Sequence, residues 1–163
     1  MGPALPSRFL SLSNTITLFR DFRVYGLLDY QGGHWLYNHK EYDRCLTRAN
    51  CERLNSGTIS DTLRAIYRTQ SFYLEKADFM KLREVSVSYT VPRRYTQRAG
   101  VDALALTLTG RNLATWTDYT GLDPEVSGYG ANQQRTNPSS FIRADAYPMP
   151  QTRRMSFSFN VTF

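Results

Sequence analysis

The chain has 163 residues, 41% hydrophobic and 13% aromatic, with 20 Lys and Arg against 14 Asp and Glu for a net charge of +6. One ordinary domain is the most that this length requires. The basic residues, mostly Arg, stand singly rather than in runs, which points to scattered solvated charge and away from a nucleic-acid surface. No apolar stretch reaches the ~18 residues of a transmembrane helix, although the strands of a membrane barrel are too short and too alternating to be detected that way.

The start, Met1-Gly2-Pro3-Ala4-Leu5-Pro6, lacks a charged region followed by an apolar one. No secretory signal is expected there, so an exported protein would have its natural beginning elsewhere. Leu10, Leu12, Ile16 and Leu18 then alternate with Ser11, Ser13, Thr15 and Thr17, with Asn14 breaking the apolar row. Side chains of a strand point alternately to its two faces, so a strand is expected near 9–18. Phe19-Arg20-Asp21 is a reversal, and Phe22, Val24, Gly26 and Leu28 resume the alternation near 22–30, making a hairpin.

From 31 to 77 the alternation stops. Gly32-Gly33, His34, Trp35, Tyr37 and Asn38 read as an aromatic-rich loop, with room for a short helix between about Asn38 and Leu46. Such a length exceeds the ~12 to 15 residues of an ordinary structureless connection, which implies either a functional loop or hidden elements. Cys45 and Cys51 lie within it, a small disulfide loop or two unrelated thiols. His34 and His39 are near in sequence, but the spacing matches no zinc pattern and no metal site is expected.

Val85, Val87, Tyr89 and Val91 share one face of a strand near 80–91 that Pro92 stops. A short basic connection, 93–102, leads to a strand near 103–117, with Leu104, Leu106 and Leu108 on one face. A second long stretch, 119–150, carries Gly121, Gly128, Gly130, Pro124, Pro138, Pro148 and Pro150. The last strand, near 152–163, sets Met155, Phe157, Phe159, Val161 and Phe163 on one face and Arg154, Ser156, Ser158, Asn160 and Thr162 on the other.

The connections thus run short, long, short, long, which places both short turns on one side of an antiparallel sheet and both long loops on the other. Outer-membrane barrels are sorted in this way, with short periplasmic turns and long extracellular loops. Aromatics gather at both strand ends, Phe19, Phe22, Tyr89 and Phe163 toward the short turns and Tyr30, Phe79, Trp116 and Tyr119 toward the long loops. Five strands cannot close a membrane barrel, and unpaired edges are not tolerated in lipid, so the chain would be a piece of a larger barrel or pair with other chains.

Two stretches resemble the carboxy-terminal end of the SusC/RagA family of TonB-linked outer-membrane transporters. They are Ala77-Asp78-Phe79 through Tyr89-Thr90-Val91-Pro92, with Glu84 where Asn is commoner, and Gly110-Arg111-Asn112-Leu113 through Asp123-Pro124-Glu125-Val126. Phe19-Arg20-Asp21-Phe22 and Asp29-Tyr30-Gln31-Gly32-Gly33 are similar more loosely. The resemblance implies an all-β fold, an antiparallel transmembrane barrel segment comprising about the last five of 22 strands, with 31–77 and 119–150 as extracellular loops and the plug domain absent. It implies uptake of glycan or peptide across the outer membrane of a Gram-negative, Bacteroidetes-like bacterium. The partners would be a SusD-like surface lipoprotein, the TonB system, outer-membrane lipid and the outer-membrane assembly machinery.

Within that frame Trp35, Tyr37 and Tyr129 are candidates to stack on a ligand, and Asp123, Pro124 and Glu125 read as structural loop chemistry, an Asx turn with Pro fixing φ. Arg83, Glu84, Arg111 and Arg154 are candidates to line the barrel, more in salt bridges than in ligand contact. Phe159, Val161 and Phe163 resemble the terminal pattern read by the assembly machinery. No paired carboxylates, Ser/His/Asp order or phosphate-cradling glycine loop is identifiable, so neither catalysis nor a cofactor is expected. The alternative reading is a soluble all-β ligand-binding module that uses the same two loops; an outer-membrane enzyme is more distant.

Overall fold

The structure, a computed structural model, describes residues 2–55, 60–126 and 143–163. In chain order the elements are β1 (Arg8–Leu18), β2 (Phe22–Gly32), β3 (Trp35–Tyr37), α1 (His39–Tyr42), a π-helical turn Asp43–Thr47, α2 (Glu52–Asn55) and α3 (Asp61–Tyr67). A 3-10 turn Gln70–Tyr73 leads into β4 (Leu74–Lys76) and then β5 (Phe79–Val91). After β5 come α4 (Arg93–Thr96), a second 3-10 turn Gln97–Ala99, β6 (Ala103–Thr117) and β7 (Arg154–Thr162). The long strands form one five-stranded sheet in the order β1-β2-β5-β6-β7, while β3 and β4 form a separate antiparallel pair. The described residues thus hold mostly antiparallel sheet with a few short helices, the all-β class expected from the alternation.

The chain divides into two compact units. One contains residues 9–30, 80–116 and 151–163, and so most of the five-stranded sheet. Its register follows from the two-residue period. β6 pairs with β7 from Ala103 opposite Thr162 to Arg111 opposite Arg154, so Leu104, Leu106 and Leu108 meet Val161, Phe159 and Phe157. Because directly opposed residues share a face, this makes a continuous apolar row, and Thr107 and Thr109 meet Ser158 and Ser156 on the other face. The apolar rows are uncovered among the described residues: Leu12 is 62% exposed, Phe157 64% and Phe159 67%.

Polar side chains bond from strand to strand. Ser11 Oγ donates to Asp29 Oδ1 at 2.8 Å, and the Arg83 guanidinium holds Asp29 Oδ2 at 2.7 Å, linking β1, β2 and β5. The next residue, Glu84, takes Arg111 of β6 at 3.0 Å, and Ser88 meets Thr107 at 2.9 Å. Consecutive residues of β5 therefore reach the strands on either side of it. At the first turn Phe19 and Arg20 have φ of 50° and 67°, the left-handed conformation that the primed hairpin turns require.

The second unit contains residues 1–8, 31–79 and 117–150. Over 31–77, where the sequence left open a functional loop or hidden elements, the described residues carry three short helices, two helical turns and the β3–β4 pair. Elements of three to seven residues have too few periods to be read from sequence. The room for a short helix between about Asn38 and Leu46 is taken by α1 and the π-helical turn after it.

The ion pairs give an ordering that can be tested. Arg83 and Asp29 are 18% and 16% exposed, whereas Arg111 is 63% exposed beside Glu84. Arg83→Ala is expected to cost on the order of 2–3 kcal/mol, since it removes one partner of a largely enclosed pair. Arg111→Ala should cost under about 1 kcal/mol. Heating each variant of the intact protein until its folded gel band converts to the unfolded one measures the order, and equal losses would contradict it.

Candidate functional site

The unit formed by the two long connections holds the sequence-predicted loop residues, and Asn38 ties it together. Its side-chain oxygen accepts from the Glu41 amide at 3.0 Å, capping α1, while Nδ2 donates to Glu75 Oε1 and Thr120 Oγ1, both at 3.2 Å. Glu75 in turn accepts from the Thr120 amide at 2.9 Å. A buried Asn with its donors and acceptor satisfied fixes local geometry, because no alternative packing can satisfy it as well. The backbone repeats the link: residues 143–145 run parallel to β3, with the Tyr37 amide donating to the Arg143 carbonyl at 2.9 Å and the Asp145 amide to the Tyr37 carbonyl at 2.8 Å. The second connection is therefore stitched onto the first.

Beneath these bonds lie two small apolar clusters, Leu36 with Ala77 and Tyr119, and Cys45 with Cys51 and Tyr73, the latter flanked by Tyr37, Tyr42, Leu46 and Leu54. The same unit buries the ionisable side chains His34, Tyr119 and Asp145. The Tyr119 hydroxyl donates to Asp145 Oδ2 at 3.1 Å. Burial pushes the Asp145 carboxyl up despite that bond, and burial with the facing Asp145 charge pushes the Tyr119 phenol up. His34 is 1% exposed, edge-on to Phe79 at 6.3 Å between ring centroids. Burial, and then the Arg143 charge, holds its imidazole below the usual histidine range, against Asp78 and the Pro124 carbonyl. That carbonyl faces the ring, yet neither ring nitrogen meets hydrogen-bond geometry with a described partner.

The candidate residues are placed as follows. Trp35 and Tyr37 share a face of β3, opposite the fully buried Leu36. The Trp35 indole lies against Gly2, where a Cβ would fall 2.3 Å from Nε1. Tyr37 packs against the rings of His39 and Tyr42 at 5.8 and 5.9 Å, and burial pushes its phenol up. Both side chains are half-buried. Tyr129 lies outside the described residues.

Asp123 Oδ1 accepts from the Glu125 amide at 3.0 Å, an Asx turn, with Pro124 fully buried and Arg143 donating to the Glu125 carbonyl. A disulfide joins Cys45 to Cys51 across a Cα separation of 4.8 Å. Phe159, Val161 and Phe163 are exposed, and β7 ends at Thr162, before Phe163. Among the described residues no group of three or more His, Cys, Asp or Glu is placed to hold a metal ion.

Sequence reasoning missed Glu75, Tyr119 and Asp145 as a network. The available signal was local, Asn38 three residues before Glu41, which is a capping pattern. Asn38→Ala should remove the cap, the bond to Glu75 and the bond to Thr120 of the second connection, costing roughly 1 to 3 kcal/mol locally. Amide exchange in residues 39–47 should then quicken by about tenfold or more; unchanged protection would contradict the role.

His34 gives a pH dependence whose sign follows from its lowered value. The unfolded imidazole, near 6.5, binds a proton that the folded one refuses, so stability falls as pH drops below about 6.5 until the folded value is passed. The protection of amides in residues 31–38, taken relative to the intrinsic exchange rate at each pH, should fall between pH 7.5 and 5.5, and His34→Leu should abolish the fall. A wild-type unit indifferent to this range would count against the burial of a neutral ring.

No protein-family model matches the chain. It is 31% identical over 91 residues to TonB-dependent receptor P3 of Formosa agariphila and 33% identical over 93 residues to TonB-dependent receptor P26 of the same organism. Those alignments cover 56% and 57% of this chain and 9% of each relative. Among solved structures, the RagAB peptide importer in its open-open state matches 98% of this chain and 17% of that one, with a TM-score of 0.68 at 19% identity. The RagAB peptide transporter matches 94% and 16%, with a TM-score of 0.62 at 18% identity. The matched proteins are receptors and importers rather than enzymes, and the chain spans only a small part of their length. Sequence likeness and fold likeness support one recognition, a C-terminal portion of a TonB-dependent receptor.

Proposed function

We propose that the chain supplies part of the wall and part of the outward-facing loops of an outer-membrane importer that takes up oligosaccharide or peptide. The observation that carries this reading is the two-faced sheet, in which Leu104, Leu106 and Leu108 run beside Val161, Phe159 and Phe157 as an uncovered apolar row. Thr107 and Thr109 run beside Ser158 and Ser156 on the other face. A water-soluble protein rarely leaves so large an apolar surface bare, whereas a strand in lipid needs it. Side-chain bonds among Ser11, Asp29 and Arg83, and between Glu84 and Arg111, tie neighbouring strands to one another.

In this reading the two long connections face the cell exterior and form part of the surface that meets the ligand. Their mutual bonds through Asn38, Glu75 and Thr120 support a surface already in shape before the ligand arrives, which lowers the ordering cost of binding. A SusD-like lipoprotein would cover that surface, and the TonB system would drive release from elsewhere in the full receptor. Trp35 and Tyr37 would then act by shaping the surface through packing.

Single labels on the intact receptor in a bilayer test the reading. Probes at Leu106 and Phe157 should be quenched by a lipid-borne quencher, and probes at Thr107 and Ser158 by a water-soluble one. Protection of Leu106 and Phe157 from both quenchers would instead favour the rival, a soluble module whose apolar face is covered by a second sheet.

Phe159, Val161 and Phe163 would serve the assembly machinery, which acts on terminal strands of this pattern. Phe163→Ser should lower the amount of receptor at the surface far more than uptake per receptor molecule. Normal surface abundance would contradict that role.

A further inference from the structure

We propose that the short-turn end of the sheet binds the phosphate headgroups of anionic glycerophospholipids in the periplasmic leaflet. The proposal rests on the membrane-spanning reading of this sheet and adds a lipid partner to it. Two segments make the site. The turn after β1 carries Arg20, Asp21, Phe22 and Arg23, and the connection after β5 carries Arg93, Arg94, Tyr95, Arg98 and Asp102. The Thr90 amide donates to the Asp21 carbonyl at 2.8 Å, and Phe22 stacks on Tyr89 at 4.5 Å between centroids, so the turn is fixed beside the start of the connection. The connection is anchored at its far end by the Asp102 amide, which donates to the Thr162 carbonyl at 2.8 Å.

The charge at this end is one-sided: five Arg against Asp21 and Asp102 give +3 over residues 19–23 and 92–102. All five Arg are exposed. Among the described residues the one ion pair they make is the long one between Arg93 and Asp102, 3.8 Å apart with both side chains in water. Surface pairs of that kind hold little free energy, so these guanidiniums are available to a phosphate, which they match in geometry.

The aromatic residues place the charge at the right depth. Phe19 is 88% exposed at the tip of the turn, Tyr95 is 52% exposed with the Arg94 guanidinium 4.6 Å above its ring, and Phe22 is 41% exposed. Aromatic rings beside cationic side chains mark the boundary between acyl chains and headgroups. The apolar row of β6 and β7 runs up to this end, where Ala103 and Leu104 lie opposite Thr162 and Val161. A lipid could therefore lay its acyl chains along the row and its phosphate among the arginines. A soluble anion would have no use for the aromatic rim, which is why a lipid headgroup is the occupant assigned.

The test uses the intact receptor, titrated in detergent with phosphatidylglycerol or phosphatidylcholine of the same acyl chains, and counts retained lipids by native mass spectrometry. A juxtamembrane Arg near an anionic headgroup changes affinity by roughly fivefold. The wild type should prefer phosphatidylglycerol by about tenfold or more, and added salt should weaken the preference. The triple variant Arg93→Gln, Arg94→Gln, Arg98→Gln should lose most of it, and the double variant Arg20→Gln, Arg23→Gln part of it. A control, Arg68→Gln with Arg153→Gln, should keep it. A wild type without preference, or a triple variant that retains it, overturns the proposal. If instead the receptor fails to insert into vesicles of either lipid, the membrane-spanning reading falls and this proposal falls with it.

Discussion

A strand with one face in lipid must find its backbone hydrogen-bond partners in another strand and turn its polar side chains to the other face, because hydrocarbon satisfies neither. The five-stranded sheet has the pattern that this constraint would produce. Its residues alternate between an apolar row and a polar one, and the register of β6 on β7 brings like rows together across the pair. The polar side chains are joined between strands, Asp29 holding both Ser11 and Arg83 while Glu84 holds Arg111. The same constraint makes the edges informative. β1 and β7 each have one neighbour among the described residues, which suits a sheet continued by other strands of a larger wall.

The long connections obey a different rule. Freed from the alternation, they build small clusters under a shell of polar bonds, with Asn38 and Glu75 from one connection and Thr120 and Asp145 from the other. Burying His34, Asp145 and Tyr119 disfavours their charged forms, and the hydrogen bond between Tyr119 and Asp145 offsets part of that cost for the pair. The Cys45–Cys51 bond further limits the unfolded freedom of the first connection.

What could be read in the sequence tracks the range of the forces involved. Alternation is a local property, so the rows Leu10 to Leu18, Val85 to Val91 and Met155 to Phe163 revealed strands and the antiparallel class. The helices α1 and α2 have four residues each, too short to be stable or periodic alone, and exist because caps and tertiary contacts hold them. Trp35 and Tyr37 stood out in the sequence as aromatics of a long connection, but their neighbours Gly2, His39 and Tyr42 are visible only in the structure. Asp123 was legible as an Asx turn since its bond spans two residues. The partnership of Tyr119 with Asp145 spans 26 positions and left no pattern to find.

The central claim is that this sheet is an internal segment of a wall, and the edge of β7 tests it most directly. In the intact receptor in a bilayer, the β7 amides that point away from β6 should exchange with solvent as slowly as those bonded to it, because another strand must pair with them. Exchange at those alternate amides near the rate of an unstructured peptide, with the remaining β7 amides still protected, would contradict the account.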